Sequence, residues 1–487
     1  MKVAALLLTL LTATACSSAA PPAAAPEPVA DRLAAAVSAD AMFTHLTALQ
    51  EIADGNGGNR ADGTSGFEAS VDYVVQALKD KGFEVSTPEF ERLDAVSPGK
   101  PTLTAGGRSY PVDQASLLLQ TPVGGVSGPV LLPARTAGCV TADYRAGAAR
   151  GGIAVVDDTG CSVVDKQQAA AAAGAAALVV ISSPGRNGSP PGLFVRGYYE
   201  ALAIPVAIAG SDAGTALRRT SSPVRLVLDA KTVKVRSRNV VAQTKTGSTH
   251  DVVLVGAHLD GPATGPGINN NGSGVAAALA TALALGPSPE ITNAVRFAFW
   301  GGSQERLAGS LNYVAGLDRE ALNDIALYVN CDQMGSPNAG FFTYDGDQSG
   351  PASPDIGPEE VPVGSAGVER VFAGYLNLAG KRPADMPLSV ASDDSAFLHA
   401  GVPVGGITTG ATGVKTTTQA RLWGGKAGVP FDPDYGTVRD DLAAVNRDAL
   451  AVTGAGVAFA VGTYAVSIDG VNGVPPHDKR HRTPTGP

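Results

Sequence analysis

Polar side chains that could bind a metal or catalyse hydrolysis follow several apolar, strand-like stretches of the chain. Imidazole and carboxylate groups are zinc ligands, and the same groups act as acids and bases in hydrolysis. The segments that carry them are His258-Leu259-Asp260, Gly265 to Gly274 with Asn270 inside it, Ser303-Gln304-Glu305, Asn330-Cys331-Asp332, Ser392-Asp393-Asp394 and Asp434-Tyr435-Gly436.

Strand and helix patterns alternate from Val240 onward, so these segments have defined positions. Such alternation predicts an α/β fold with a doubly wound mixed sheet, in which ligands bind at the carboxyl ends of strands. The predicted strands are Asp251–Ala257, Val295–Trp300 and Ile325–Asn330, and the predicted helices are Ser273–Leu285 and Leu307–Val314.

Between about Val112 and Val233 the sequence changes to short runs of strand-forming residues, which predict a β-rich insert with its own core. The apolar run Ala449–Val466 carries glycines and threonines, which favours a packed helix over a membrane span. The predicted organisation is a signal peptide at 1–15, a tether at 16–30, an α/β domain formed by 31–111 and 235–470, the insert at 112–234 and a disordered tail at 471–487.

The N-terminus predicts export. Lys2 precedes an uncharged run from Val3 to Ala15, which suits a signal core and is shorter than the ~20 residues needed to span a bilayer. The small residues before Cys16 resemble a lipobox, although Ala13 stands where Leu or Val is usual, so a lipidated Cys16 is favoured over a plain signal peptide. We expect a protein held by lipid at the outer face of the membrane.

The cysteines fit an oxidising compartment. In an exported protein a pair is usually a disulfide. Cys139 and Cys161 lie in the same β-rich block, whereas Cys331 lies in an apolar strand-like run. We predict a Cys139–Cys161 disulfide and a buried thiol at Cys331.

The charge balance excludes one class of partner. Lys and Arg number 36 against 45 Asp and Glu, and the net charge is −9 with no block of basic residues. A nucleic-acid binder needs a basic patch, so no nucleic-acid partner is expected.

Taken together, the segments resemble the exported zinc aminopeptidases of the bacterial leucyl aminopeptidase and aminopeptidase Y type, relatives of glutamate carboxypeptidase and the transferrin receptor. The resemblance runs from about Asp31 to Asp469, and the insert resembles a protease-associated (PA) domain. It implies two zinc ions, which activate a water that releases N-terminal residues from peptides, and a glutamate that takes the proton from that water. In this sequence His258 matches a histidine ligand, Asp332 a carboxylate ligand and Asp260 the acid that orients the imidazole.

Other positions depart from the family pattern. Asn270 stands where the bridging aspartate is expected, Ser303 at the general base, Gln304 at a ligand glutamate, Gly436 at the last histidine ligand and Asp394 at a further histidine. Only one of the three ligand carboxylates therefore remains, and carboxamides are neutral, weak zinc ligands. We predict that zinc is absent or weakly bound.

The remaining residues also have explanations that need no metal. His258 could be a strand-end histidine bonded to Asp260, Asp332 could be a turn acid, and Glu305 could face solvent or serve as a substitute base.

Three functions follow. The first is a catalytically inactive or impaired cell-surface protein that binds a peptide or protein. The second is an active aminopeptidase with one zinc on His258, Asn270 and Asp332. The third is a structural lipoprotein of the envelope.

Overall fold

A computed structural model of the protein describes residues 28–145, 150–182, 192–195 and 197–485. The predicted signal peptide, Cys16 and most of the predicted tether lie outside the described residues.

The chain enters the fold through three helices and two strands. Ser38 and Thr64 cap the second and third helices by accepting bonds from backbone N–H groups, and Gly82 ends the third with a left-handed backbone (φ 98°) that glycine adopts without strain. The elements are α1 (Val29–Ala36), α2 (Ala39–Gly55), α3 (Ser65–Lys81), β1 (Glu84–Ser86) and β2 (Glu89–Ser97).

A β-rich insert follows, with two sheets and its own core. Its first two strands precede residue 112, so the insert begins about ten residues earlier than predicted. The disulfide between Cys139 and Cys161 is confirmed. The elements are β3 (Thr102–Ala105), β4 (Arg108–Pro111), β5 (Asp113–Gln114), β6 (Val126–Gly128), β7 (Val130–Leu131), β8 (Ile153–Asp157), α4 (Val163–Ala172), β9 (Ala177–Ile181), β10 (Val206–Ala209), α5 (Ser211–Arg219) and β11 (Val224–Val227).

The rest of the chain builds the large α/β unit. Strand β12, the first of this part, pairs with β2 in an antiparallel ribbon beside the insert. The elements are β12 (Lys231–Arg238), β13 (Val240–Gln243), β14 (Ser248–His258), α6 (Ser273–Leu285), β15 (Asn293–Trp300), α7 (Ala308–Ala315), α8 (Arg319–Asn323), β16 (Ile325–Cys331), β17 (Phe342–Tyr344), α9 (Ser365–Leu378), β18 (Ala384–Met386), α10 (Asp394–His399), β19 (Val404–Thr408), α11 (Thr417–Trp423) and α12 (Arg447–Val466).

Within the described residues, the main sheet has eight strands in the order β1-β13-β15-β14-β16-β19-β17-β18. The four strands from β15 to β19 are parallel, and β13 and β17 run antiparallel to their neighbours β15 and β19. Successive side chains of a strand point to opposite faces. Val253 and Val255 accordingly join one core cluster and Leu254 joins another. The predicted doubly wound mixed α/β fold is confirmed.

Helix α12 is long and apolar enough to cross a membrane, and two-thirds of its apolar window is buried inside the protein. It packs against α1, α6 and α9. The helix is therefore a core helix of the α/β unit, as its glycines and threonines predict.

The predicted disordered tail is wrong for residues 471–485, which pack against the α/β unit. Arg480 and Arg482 are each 5% exposed. Arg482 donates to the carbonyls of Leu322, Gly401 and Ile325, and Arg480 donates to the carbonyls of His250 and Asn323. Charged groups are rarely buried without partners, and these carbonyls supply them.

Candidate active site

The carboxyl ends of β14 and β16 bring His258 and Asp332 together at one edge of the sheet. The two strands are parallel neighbours, so residues that follow them lie side by side. The loops after β14, β15, β16, β18 and α11, together with α10, complete a cavity of about 600 Å³. Its walls include His258, Asn270, Ser303, Gln304, Asp332 and Tyr435. Five residues named for the predicted site, His258, Asn270, Ser303, Gln304 and Asp332, therefore line the cavity.

Both ring nitrogens of His258 face oxygen atoms. Nδ1 lies 2.9 Å from the carbonyl oxygen of Asp260, and Nε2 lies 3.6 Å from Oδ1 of Asp332. Burial alone would lower the pKa of His258, but the interactions with Asp260 and Asp332 outweigh it and raise the pKa well above its ordinary value. His258 is therefore held between Asp260 and Asp332.

Asp260 organises the loop after β15. Its side chain is fully buried, and its two carboxylate oxygens accept bonds from the backbone N–H groups of Ser303 at 3.0 Å and Gln304 at 2.9 Å. Its Oδ1 is also 3.7 Å from Nδ1 of His258. Asp260 therefore holds the imidazole and the loop in one fixed relation, consistent with the orienting role that the sequence predicts.

Asn270 is placed by two residues that the sequence analysis did not identify. Asp440 accepts bonds from the backbone N–H groups of Asn269 and Asn270, and the fully buried Arg60 donates to the carbonyl of Gly267. The Asn270 side chain reaches the cavity, where its Oδ1 is 3.5 Å from Nε2 of Gln304. Its Nδ2 is buried without a hydrogen-bond partner. Two neutral carboxamides therefore meet in this part of the cavity.

Ser303 lies in the cavity wall, and its hydroxyl is hydrogen-bonded to a carboxylate. Its hydroxyl donates to Oδ2 of Asp393 at 2.7 Å, and the hydroxyl of Ser310 donates to Oδ1 of the same residue. Burial raises the pKa of Asp393 to about 6 and that of its neighbour Asp394 to about 7. The sequence analysis noted the Ser392-Asp393-Asp394 segment but missed the contact of Asp393 with Ser303, since the two residues lie 90 positions apart.

Two other residues predicted for the site do not line the cavity. Glu305 is exposed and is not among the residues that line the cavity. Gly436 has a left-handed backbone (φ 68°), and its carbonyl accepts a bond from the hydroxyl of Thr264. The space where a Cβ of Gly436 would lie is open, so a histidine there would meet backbone strain rather than a clash.

The donor atoms of the cavity do not fit two zinc ions. At the positions where ligands are expected, His258 and Asp332 offer one imidazole nitrogen and one carboxylate, and Asn270 and Gln304 add only neutral amides. The lining also contains Asp393, whose oxygens accept bonds from Ser303 and Ser310, and His399, whose Nδ1 lies 2.7 Å from the carbonyl oxygen of Ser395. Among the described residues, clusters of three or more metal-ligating side chains occur at His250, Asp324 and His477 and at Asp345, Asp347 and Glu369, and neither cluster contains a cavity residue. Zinc sites need three or four such ligands for each ion.

Comparison with known proteins identifies the family. Peptidase family M28 matches residues 239–461, and the PA domain matches residues 126–217. The probable lipoprotein aminopeptidase LpqL of Mycobacterium tuberculosis is 47% identical over 90% of this chain and 87% of its own. An aminopeptidase of Pseudomonas aeruginosa is 38% identical over 88% of this chain and 82% of its own. The chain belongs to the M28 family of aminopeptidases and carries a PA domain.

A solved structure shares the fold. The aminopeptidase from Aneurinibacillus sp. strain AM-1 matches with a TM-score of 0.52 and 21% identity, over 92% of this chain and 98% of that chain. This likeness supports the architecture, and zinc is the metal that the family implies.

Proposed function

We propose that the protein is an exported, lipid-anchored member of the M28 family that binds peptides or protein segments in its cleft and hydrolyses them poorly or not at all. The observation that carries the proposal is the chemistry of the cavity of about 600 Å³, in which the positions expected to hold the metal ligands keep only His258 and Asp332 as imidazole or carboxylate groups. This proposal makes the cleft a recognition site.

The loss of a positioned base supports the proposal. The position expected to hold the base is Ser303, whose neutral hydroxyl donates to Asp393. The exposed Glu305 lies away from the cavity lining. General-base catalysis contributes about 100 to 10,000-fold to a rate, so hydrolysis without it is slow.

One observation favours the alternative of an active enzyme with a single zinc. Oδ1 of Asp332 is buried without a hydrogen-bond partner, and it lies 3.6 Å from Nε2 of His258. A zinc ion on His258, Asn270 and Asp332 would use that oxygen. A third possibility is a structural envelope protein whose cleft binds nothing.

Zinc analysis and an aminopeptidase assay separate the first two functions. We expect the cleft to hold no zinc, so that H258A/D332A leaves the zinc content of the purified protein unchanged, and we expect the wild-type protein to leave aminoacyl p-nitroanilides intact. The variant N270D/S303E/Q304E/G436H should gain zinc binding, and the same variant with H258A added should lose it again. Zinc-dependent turnover by the wild-type protein that a chelator abolishes would refute the proposal in favour of the one-zinc enzyme.

Peptide binding separates the first function from the third. Labelled peptides with free N-termini should bind the wild-type protein, and Ser303→Trp should block the cleft and reduce their binding. Leu378→Trp, at an exposed position of α9, is the matched control that should bind normally. Absence of binding by the wild-type protein would favour the structural role.

The lipid anchor rests on the small residues before Cys16, and the M. tuberculosis relative is named as a lipoprotein. Cys16→Ser should release the protein from the membrane fraction. A wild-type protein found free in the medium without an acyl group would show a plain signal peptide instead.

A further inference from the structure

A second cluster of metal-ligating side chains lies at the opposite end of the strands that carry the cleft. His250 is near the start of β14, Asp324 directly precedes β16, and His477 comes from the C-terminal segment. His250 and Asp324 each stand eight residues before His258 and Asp332 on the same two strands. At ~3.3 Å per residue, this places the cluster about 26 Å from the cleft.

The three side chains already converge on one point. Nδ1 of His250 is 2.8 Å and Nε2 of His477 is 3.2 Å from the same oxygen, Oδ1 of Asp324. All three donor atoms lie within 4.8 Å of one another. In a tetrahedral zinc site with bonds of ~2.0–2.1 Å, neighbouring donor atoms are about 3.3 Å apart. Small side-chain rotations would therefore admit an ion between them.

We propose that His250, Asp324 and His477 form a binding site for a divalent transition metal, with zinc as the best match. Two imidazoles and a carboxylate are a favoured zinc set, and three protein ligands leave a fourth position for water. The side chains are 66%, 26% and 32% exposed, so an ion and its water can reach them. Asp324, Glu320 and Asp251 all favour a positive charge at His250, and the guanidinium of Arg480, which pairs with Asp251, offsets part of their charge.

The bound ion would fasten the C-terminal segment to the sheet. His477 is the ligand from that segment, whereas the other two ligands belong to the α/β unit. Arg480, three residues later, already binds the carbonyl of His250 and the carboxylate of Asp251. The metal therefore joins the same two parts of the chain that this arginine joins, and it adds a contact that depends on metal supply.

Titration of the purified, chelator-treated protein with Zn²⁺ in a calorimeter tests the site. We expect one equivalent to bind, with a loss of affinity of about tenfold or more in H477A and in H250A. His481→Ala, an exposed histidine of the same segment, is the matched control and should bind as the wild type does. The variant H258A/D332A should also retain this binding, which separates the site from the cleft.

A second measurement reports on the segment itself. Zn²⁺ should slow tryptic cleavage after the exposed Lys479 in the wild-type protein and in H481A, but not in H250A. His250 is largely exposed, so H250A should fold and remain informative even if H477A does not. The proposal is overturned if no zinc binds, if H250A and H477A bind it normally, or if H258A/D332A abolishes the binding.

Discussion

The strand pair β14 and β16 carries a histidine and an aspartate at each end, and the two ends differ in their surroundings. At the cleft end, the side chain of His258 is 6% exposed and both of its nitrogens face oxygens, whereas at the other end the side chain of His250 is 66% exposed. Loops that follow the strands enclose the first pair, whereas the C-terminal segment lies beside the second pair and leaves it partly exposed. The comparison shows that residue type alone does not define a site, because burial and the chain segments that close over it decide what the pair can bind.

The largest expected effect concerns the end that the C-terminal segment covers. Arg482→Met should lower the free energy of unfolding by about 3 to 5 kcal/mol, because the carbonyls of Leu322, Gly401 and Ile325 would lose a charged donor while remaining buried. Urea denaturation measures the change.

The matched control is Lys479→Met, which alters an exposed side chain of the same segment and should change stability by less than about 0.5 kcal/mol. If Arg482→Met changes stability as little as Lys479→Met does, the C-terminal segment contributes little to the stability of the fold. The difference between the two ends of the strands would then come from the cleft end alone.

The next effect concerns the cleft end and depends on pH. Burial raises the pKa of Asp394 to about 7, so the folded protein favours the protonated acid. The resulting stabilisation is complete below the unfolded pKa near 4 and is lost as the pH rises through about 7. The free energy of unfolding of Asp394→Asn, minus that of the wild type, should therefore increase by about 2 to 4 kcal/mol between pH 4 and pH 8.

Denaturation at several pH values with a chelator present measures this difference. Asp478→Asn, at an exposed position of the C-terminal segment, provides the control and should run parallel to the wild type. A flat difference for Asp394→Asn would mean that water reaches this carboxyl and that the cleft end is wetter than its burial indicates.

The smallest effect is a shift in histidine titration, which compares the two ends directly. Hydrogen bonding to Asp324 raises the pKa of His250, and the interactions with Asp260 and Asp332 overcome burial to raise the pKa of His258 well above its ordinary value. In NMR titrations with a chelator, Asp324→Asn should lower the pKa of His250 and leave that of His258 in place, and Asp332→Asn should lower the pKa of His258 and leave that of His250 in place.

Asp355→Asn, an exposed change elsewhere, should leave both titrations as they are. If Asp332→Asn does not move the titration of His258, the two side chains do not interact in solution, and the cleft retains less of its family geometry than the distances indicate.

Local sequence patterns predicted the elements and the strand-end positions of the site. Helix α6 has the predicted bounds, Ser273 to Leu285, because a run rich in the helix formers alanine and leucine ends at Gly286. The strand pattern placed His258 and Asp332 at the ends of apolar strands, the family resemblance assigned them as ligands, and the neighbouring strands bring them together.

Contacts between distant segments were not predictable in the same way. Ser303 bonds to Asp393, which lies 90 positions away, and Asp440 places Asn270 from 170 positions away. A periodic pattern of residue types gives no information about such distant pairs. The C-terminal segment looked disordered from its prolines and charges. Its arginines are buried because they meet backbone carbonyls at the start of the sheet, a feature that single-residue patterns do not show.

The docking of the C-terminal segment also sets an order of events during synthesis. Arg482 binds the carbonyl of Ile325, which lies 157 residues earlier in the chain. In a nascent chain, the backbone carbonyls that Arg480 and Arg482 bind near the start of β16 therefore remain hydrated until this late segment has been made. We therefore expect a copy interrupted before Arg480 to be cleaved by proteases faster than the full-length chain, because those carbonyls stay exposed to water.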